Sequence, residues 1–240
     1  PFVIGLLTPL SLGLPLILPF SMTGQQLLRS LREGEVTAIV GVPRLYSALY
    51  AGIWNKVESS GRIARCLFRS FFWISNLLRH SLGIRTGKVL FRSLHKRFGK
   101  NLRLLASGGS PLDPELAANL QSLGWEVAIG YGLTETSPLL SINLPNDWRS
   151  ASAGKTLPGV DLRIEPGTLE AEEQNDRPAT GEVLARGPNV FSGYRNLPEQ
   201  TAHAFAPDGW FRTGDIAYFD EDGFLYLAGR LSTLIKTETG

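Results

Sequence analysis

The sequence predicts an α/β protein in which alternating strands and helices are followed by a β-rich part. In the first half, apolar strand-like runs at 36–40 and 126–129 alternate with runs of helical periodicity. Such alternation favours a largely parallel sheet. After Asp147, short alternating segments are separated by Gly, Pro and acidic residues, as is typical of antiparallel strands. We therefore divide the chain into an α/β part, residues 1–147, and a β-rich part, residues 148–230.

Local signals predict individual elements within these parts. Asp113 can cap a helix that Pro114 opens and Gly124 ends. Alternating apolar and polar residues predict strands at 160–164 and 181–185.

Two further segments of the β-rich part are predicted connections. Residues 219–224 fit a hairpin in which Asp222-Gly223 supplies the turn. Residues 167–180, rich in Glu, Asp and Pro, fit an exposed loop.

The composition is that of a globular protein from a reducing compartment. The 240 residues are 43% hydrophobic, enough to bury one large core or two smaller ones. The single cysteine, Cys66, excludes an internal disulfide, and the three histidines are too scattered for a zinc site. The sequence has none of the motifs of serine hydrolases, zincins or Walker-type nucleotide-binding proteins. We expect a cytoplasmic protein.

The first twenty residues carry no charge, which raises the question of a membrane span. Three prolines and two glycines interrupt the run, and no basic segment precedes it as in a signal peptide. We therefore expect a buried helix followed by a core strand. Because no methionine begins the chain, we also expect an internal piece of a longer protein.

A basic and aromatic segment lies in the middle of the chain. Between Glu58 and Asp113 there is no acidic residue, yet eleven Lys or Arg occur, interspersed with aromatic residues. Such a segment suits peripheral contact with anionic lipid at the inner membrane surface, through residues 62–103. The alternative is a solvated helical hairpin whose aromatic side chains face the core. We expect no nucleic acid partner, because no recognition motif accompanies the charge.

The segment from Gly130 to Pro138, GYGLTETSP, joins a glycine-flanked backbone to a hydroxyl, a carboxylate and an aromatic ring. The glycines at 130 and 132 allow close approach of a ligand to the main chain. Thr134 can donate to a phosphate oxygen, and Glu135 is the kind of oxygen ligand that Mg²⁺ takes beside substrate phosphates. Tyr131 offers a ring face for a base. The alternative is a glycine turn with a surface Thr-Glu pair.

This segment resembles the signature of the adenylate-forming (AMP-binding) superfamily, and three more motifs of that superfamily occur in its order. ASGGSPL at 106–112 is similar to the adenine-side loop, and GWFRTGD at 209–215 to the ribose-binding motif. GFLYLAGR at 223–230 is similar to the segment that leads into the interdomain hinge. The segment around 42–57 further resembles the pattern of long-chain fatty acid CoA ligases.

The resemblance implies both a fold and site residues. The fold is part of the large N-terminal domain of an adenylate-forming enzyme, with an α/β subdomain followed by a distorted barrel, and residues 231–240 begin a hinge to a C-terminal domain. Thr134 would contact phosphate and Glu135 would hold Mg²⁺. Asp215 and Arg230 would hold the ribose, a role that suits an ionised carboxylate and a forked guanidinium. The nucleotide itself would be bound by Gly130, Gly132 and the adenine-side residues, which are Tyr131, Gly109, Ser110 and Pro111.

The resemblance also implies an activity. We expect ATP-dependent activation of a carboxylic acid, most like a long-chain fatty acid, through an acyl-adenylate to acyl-CoA, with ATP, Mg²⁺ and coenzyme A. The Ser/Thr/Gly-rich phosphate loop and the C-terminal lysine of the superfamily are absent, so we expect the chain alone to be inactive. The hinge departs from the usual pattern, because Ser232-Thr233 stands where many members have Lys-Asp and Lys236 follows.

Two alternatives remain open. An aryl-CoA ligase, an acyl-carrier-protein ligase or an adenylation domain would share every nucleotide motif. From another class, the chain could be a non-catalytic lipid-binding fragment.

Overall fold

A computed structural model describes residues 3–21, 23–166 and 180–233 of the chain. The chain forms two compact units, residues 1–129 and 130–240. The boundary predicted between residues 147 and 148 therefore falls inside the second unit. Of the loop predicted at 167–180 only Thr180 is described, and Lys236 of the predicted hinge also lies outside the described residues.

The first unit contains a parallel arrangement of three strands. These are β1 (Ala38–Gly41), β2 (Leu104–Ser107) and β3 (Glu126–Tyr131), whose last two residues belong to the second unit. β1 pairs with β2 and β2 with β3, both in parallel. The predicted parallel sheet is confirmed. Loops that carry predicted site residues follow the carboxyl ends of β2 and β3.

The described part of the first unit contains seven α-helices. The two short ones at the beginning and the middle have four residues each, and α4 is the longest. Their bounds are α1 Thr8–Ser11, α2 Gly24–Glu33, α3 Pro43–Glu58, α4 Arg62–Leu82, α5 Gly87–Leu90, α6 Arg92–Phe98 and α7 Pro114–Ser122. The cap predicted for α7 is confirmed, because Asp113 accepts a 2.8 Å hydrogen bond from the backbone N–H of Leu116.

Tyr46 ties α3 to the strands of the first unit. Its side chain is fully buried, and its hydroxyl lies 3.0 Å from the carbonyl oxygen of Ile39 and 2.7 Å from that of Ala106. Burial raises the pKa of the Tyr46 hydroxyl, so it remains a donor at neutral pH. The hydroxyl thus links α3 to both β1 and β2, and this buried polar atom is hydrogen-bonded.

The prediction for the first twenty residues was wrong. The described part of this segment forms a π-helical turn at Val3–Leu7 and the short α1, with no buried residue in either, and residues 14–19 form no strand. Leu18 is 78% exposed and Phe20 98% exposed. Apolar composition predicted burial, but burial depends on a partner surface, and the described residues provide none for these side chains. No described helix combines the length and the apolar character that crossing a membrane requires.

The second unit is rich in β-structure. A short antiparallel pair, β4 (Ser141–Asn143) and β5 (Lys155–Thr156), precedes a four-stranded antiparallel sheet in the order β6-β7-β8-β9. The sheet strands are β6 Asp161–Glu165, β7 Gly181–Arg186, β8 Phe211–Phe219 and β9 Leu225–Arg230, and α8 spans Pro198–Ala204. The predicted strands at 160–164 and 181–185 and the predicted hairpin after Phe219 are confirmed.

One apolar cluster forms the core of the second unit. It joins Tyr131 at the end of β3, and residues that follow β3 in the chain, to residues of the sheet strands β7, β8 and β9. The buried members are Tyr131, Leu140, Ala153, Val183, Ala185, Phe211, Ala217 and Leu225. The loop that carries the signature motif is therefore anchored on the same core as the sheet.

Candidate functional site

The signature loop of the second unit is closed on itself by hydrogen bonds. After β3 the chain passes through a short 3-10 helix, Thr134–Thr136, and the buried Thr136 hydroxyl accepts from the backbone N–H of Leu133 at 3.0 Å. Leu140 N–H donates to the carbonyl oxygen of Tyr131 at 2.8 Å. A Cβ at Gly132 would lie 1.9 Å from the carbonyl oxygen of Pro138. Glycine at 132 is thus required by close contact within the loop itself.

Thr134 and Glu135 lie on the open side of this loop. The Thr134 side chain is exposed and Glu135 is half-buried, whereas the next residue, Thr136, is buried. The Glu135 carboxylate accepts a 2.9 Å hydrogen bond from the hydroxyl of Tyr194. Burial raises the pKa of the Tyr194 hydroxyl, and the bond to Glu135 raises it further, so Tyr194 is the donor at neutral pH.

A second segment of the same unit, residues 187–194, runs along this loop, and we call it the strap. The amide of Asn189 donates to the carbonyl oxygens of Thr136 at 2.8 Å and Leu139 at 2.7 Å. Phe191 N–H donates to the carbonyl oxygen of Glu135 at 2.8 Å. The strap therefore satisfies loop carbonyls that would otherwise need water.

Asp215 lies in a bulge of β8. Glu182 pairs with Ile216 and Leu184 with Arg212, so the three residues 213–215 of β8 stand opposite Val183 alone. A bulge re-aims a side chain relative to a regular strand. Asp215 therefore lies within a strand and not in a turn between strands.

The carboxylate of Asp215 has two partners within its unit. Oδ2 accepts a 2.8 Å hydrogen bond from the hydroxyl of Tyr131, and Oδ1 lies 2.7 Å from Nε of Arg230. Arg230 stands directly opposite Asp215 on β9. The structure thus brings together three of the predicted site residues, which are separated by up to 99 positions along the chain, from 131 to 230.

Tyr131 is buried in the core of its unit, which stacking on a base alone would not require. It is 8% exposed and belongs to the core of the unit. Burial raises the pKa of its hydroxyl, and the negative charge of Asp215 raises it further, so the hydroxyl stays protonated and keeps donating. Contact with an adenine ring therefore remains a prediction, while the bond to Asp215 is a property of the folded unit.

Glu182 supports the bulge from the neighbouring strand. Its side chain is buried, one oxygen accepts from Gly214 N–H at 3.1 Å, and the other lies 2.6 Å from Nη2 of Arg212. Thr213 adds a further tie by donating to the carbonyl oxygen of Val183 at 2.8 Å. Because buried charges are stable only when paired and hydrogen-bonded, this set holds the backbone that presents Asp215.

The predicted adenine-side residues lie in the first unit. Gly109, Ser110 and Pro111 lie one residue beyond the end of β2, at the carboxyl end of a parallel strand, where ligands of α/β proteins commonly bind. Gly109 has a φ of +86°, a conformation that favours glycine. The hydroxyl of the preceding Ser107 is buried with no hydrogen-bond partner among the described residues. That these residues share one site with residues of the second unit stays a prediction.

The residues present suit a magnesium ion that also binds substrate phosphates. The part of the chain that the structure describes contains no cluster of three or more metal-ligating side chains. A site of one carboxylate completed by water and phosphate oxygens is nevertheless typical for Mg²⁺. The half-buried Glu135, one oxygen of which accepts the hydrogen bond from Tyr194, offers that carboxylate.

Sequence reasoning missed Glu182, Asn189 and Tyr194. No local pattern marks a buried glutamate within a strand, and the Gly187-Pro188 dipeptide before Asn189 signals only a turn. Each of these side chains acts on a segment at least 30 positions away along the chain. These three residues are therefore identified by tertiary contacts, which no local sequence pattern predicts.

Comparison with known proteins adds independent information. The family described as AMP-binding enzyme matches residues 2–195. Palmitoyl-CoA ligase FUM16 of Gibberella moniliformis is 33% identical over 216 residues, which cover 87% of this chain and 32% of that protein. Long-chain-fatty-acid–CoA ligase FadD15 of Mycobacterium bovis is 33% identical over 231 residues, covering 92% of this chain and 36% of that protein. The chain thus spans about a third of the length of these relatives.

A solved structure with the same fold contains a nucleotide and a metal. O-succinylbenzoate coenzyme A synthetase (MenE) of Bacillus subtilis, in complex with ATP and a magnesium ion, matches with a TM-score of 0.60 and 26% sequence identity. The match covers 92% of this chain and 37% of that one. The predicted fold class is confirmed.

Proposed function

Since the chain belongs to the AMP-binding enzyme family, we propose that its full-length protein is an acyl-CoA synthetase that uses ATP and coenzyme A. Its substrate in this proposal is a long-chain fatty acid. The relatives support the substrate class, because they include a palmitoyl-CoA ligase and a long-chain-fatty-acid–CoA ligase. The observation that carries the proposal is the Asp215 carboxylate, buried and oriented by Tyr131 and Arg230 within the unit that also bears Glu135.

The reaction takes place in two steps. A carboxylate oxygen of the acid attacks the α-phosphorus of ATP, an acyl-phosphate bond forms, and pyrophosphate leaves with the electron pair of the broken bond. The sulfur of coenzyme A then attacks the acyl carbon, its proton is lost, and AMP leaves. Because an anion attacks an anion in the first step, catalysis depends on positioned donors and cations rather than on a general base.

The residues of the second unit divide this work. Asp215 accepts from the ribose hydroxyls while Arg230 holds it in place and offers further donors. Thr134, exposed at the loop, donates its hydroxyl to a phosphate oxygen. Glu135 would hold Mg²⁺, and the bound ion would neutralise phosphate charge. The magnesium in the MenE complex supports including this ion.

The remaining nucleotide contacts are assigned by resemblance to the superfamily motifs. Gly130 and Gly132 let phosphate approach the backbone, and Tyr131 borders the adenine. The loop of Gly109, Ser110 and Pro111 borders it as well.

Replacement of Glu135 by Ala in the full-length protein tests the proposal. We expect loss of ATP–pyrophosphate exchange, because the metal then has no protein carboxylate, while the exposed Glu199→Ala serves as a matched control and retains exchange. Near-normal exchange in Glu135→Ala would contradict the assignment. Exchange measured across a panel of free fatty, aryl and amino acids separates the long-chain ligase from an aryl-CoA ligase or an adenylation domain. Product formation with coenzyme A or with acyl carrier protein as the acceptor separates it from an acyl-carrier-protein ligase.

A non-catalytic lipid-binding role is the second candidate. This role requires that the full-length protein binds fatty acid but shows no ATP–pyrophosphate exchange with any carboxylic acid. Tight binding of a non-hydrolysable acyl-adenylate analogue would argue against this role, because a lipid carrier has no use for an adenosine site.

We further propose that the predicted peripheral contact with anionic membrane runs through α4. One side of this helix packs inward, where Phe68 and Phe72 contact Trp54. The other side is exposed and apolar, and Trp73 is 65% exposed. The exposed apolar residues of α4 are Ile63, Leu67, Phe71, Trp73, Ile74, Leu77 and Leu82.

Charge favours lipid as the occupant of this face. Arg62 and Arg69 are exposed on α4, and Lys88, Lys96 and Lys100 are exposed after it. An apolar row beside basic residues is typical of a helix that lies in the membrane interface. The aromatic residues of this segment are divided between core and surface, since Phe91 and Phe98 are buried.

Sedimentation of the full-length protein with vesicles tests the membrane contact. We expect binding to phosphatidylglycerol vesicles, little binding to phosphatidylcholine vesicles, and reduced binding in the Trp73→Asp variant. Leu144→Asp, at an exposed leucine of the second unit, is the control. Sedimentation that does not depend on anionic lipid or on Trp73 would exclude this contact.

A further inference from the structure

Tyr194 and Glu135 are joined by a hydrogen bond across 59 positions of the chain. The Tyr194 hydroxyl donates to Oε1 of Glu135 at 2.9 Å. The ring is held by an edge contact with Phe191, whose centroid lies 4.8 Å away. The hydroxyl therefore reaches the carboxylate from a ring that is itself held by packing.

The same strap also holds the backbone on both sides of this carboxylate. Phe191 N–H donates to the carbonyl oxygen of Glu135, and the Asn189 amide bonds the carbonyl oxygens of Thr136 and Leu139. Glu135 is thus tied at its main chain and at its side chain by one segment, residues 187–194. A surface Thr-Glu pair in an ordinary turn would have no need of such support.

We propose that Tyr194 is a positioning residue that orients the Glu135 carboxylate for a divalent cation before the cation binds. This inference rests on the proposed function of Glu135. A carboxylate offers about four lone-pair sites on two oxygens, so one donor leaves several for a cation. A free glutamate side chain loses rotamer freedom when it is fixed, and a bond already formed in the free protein reduces that loss on binding.

The opposite effect is physically distinct. If Tyr194 competed with the cation for the carboxylate, its removal would strengthen cation binding. Orientation predicts weaker cation binding after removal of the hydroxyl, so the sign of the change separates the two roles.

The test is Tyr194→Phe in the full-length protein, which keeps the ring contact with Phe191 and removes only the hydroxyl. Binding of α,β-methylene-ATP is measured by calorimetry at increasing free Mg²⁺. We expect the Mg²⁺ midpoint to rise about three- to ten-fold, in line with loss of one partly solvated hydrogen bond to a carboxylate. At saturating Mg²⁺ we expect the affinity for the analogue to be unchanged. A general loosening of the fold would instead lower this affinity at every Mg²⁺ concentration. The Mg²⁺ dependence of ATP–pyrophosphate exchange should shift by the same factor.

Two variants accompany this test. Tyr226→Phe removes another tyrosine hydroxyl that lies beside a carboxylate, that of Asp220, and should leave the Mg²⁺ midpoint unchanged. Glu135→Ala should abolish the Mg²⁺-dependent part of binding. If Glu135→Ala does so and Tyr194→Phe leaves the midpoint unchanged or lowers it, the positioning role is overturned while the proposed function stands. If Glu135→Ala retains Mg²⁺-dependent binding and exchange, the proposed function fails and this inference fails with it.

Discussion

The hydroxyl of Tyr131 donates a 2.8 Å hydrogen bond to Oδ2 of Asp215, and both residues are only 8% exposed. A hydrogen bond to an ionised group is stronger than one between neutral groups, and a hydrogen bond is stronger in the protein interior than in water. Arg230 occupies the other carboxylate oxygen. The direction of the Asp215 carboxylate is therefore set in the free protein.

Removal of the Tyr131 hydroxyl should loosen this arrangement. We expect Tyr131→Phe to lower the free energy of unfolding by about 1–3 kcal/mol, because a buried acceptor loses its donor. We also expect a several-fold rise in the KM for ATP. Both are measured on the full-length protein, with Tyr218→Phe, at a stacked ring of the sheet surface, as control. An unchanged KM would show that Asp215 needs no help from Tyr131.

Asp215 should discriminate the sugar of the nucleotide. The wild-type protein is expected to bind ATP more tightly than 3′-deoxy-ATP, because the carboxylate loses a charge-assisted partner when the hydroxyl is absent. Asp215→Asn keeps the shape of the side chain and should bind both nucleotides with similar, weaker affinity. Competition binding with the two nucleotides measures this difference. Equal discrimination in both proteins would place the ribose elsewhere.

The two glycines of the signature loop should differ in their tolerance of alanine. A Cβ at position 132 would clash with the backbone at Pro138, whereas a Cβ at 130 would meet the end of the flexible Leu139 side chain at 2.7 Å. We expect Gly132→Ala to cost about 1–3 kcal/mol of stability or more and to reduce exchange at least as strongly. Gly130→Ala should have a smaller effect on both. Comparable losses in the two variants would mean that the loop backbone is not held as described.

His95 makes the first unit sensitive to acid. Desolvation by burial lowers the pKa of His95 from its ordinary 6.5, and the hydrogen bond to the Leu123 carbonyl only partly opposes this. The neutral form is favoured in the folded state, so His95 causes no loss of stability above pH 6.5. As the pH falls below that value, His95 becomes protonated in the unfolded chain but stays neutral in the folded chain. The free energy of unfolding therefore falls by up to about 1.4 kcal/mol per pH unit.

Hydrogen exchange of amides in β2 and β3 of the full-length protein checks this expectation. The opening free energy of the first unit should fall between pH 7.5 and pH 5.5 in the wild type and fall less in His95→Gln, which stays neutral. His80→Gln, at an exposed histidine of α4, is the control. An identical pH dependence in wild type and His95→Gln would exclude His95 as the cause.

Short-range features of the fold were predictable from the sequence. The cap at Asp113, the Asp222-Gly223 turn and the strands of the second unit depend on propensities of neighbouring residues. The burial of the first twenty residues was not predictable in this way. Their apolar character is local, but whether they are covered depends on surfaces that composition does not reveal.

The family and the order of its motifs could be read from the amino-acid sequence, because they depend only on which residues follow one another. The sequence also indicated which side chains could hold a ribose, a phosphate or a metal. The contacts of Asp215 with Tyr131 and Arg230, and of Glu135 with Tyr194, became known only from the folded structure. Those pairs form between segments brought together by strand pairing and a shared apolar core, and no periodicity along the chain encodes contacts over such separations.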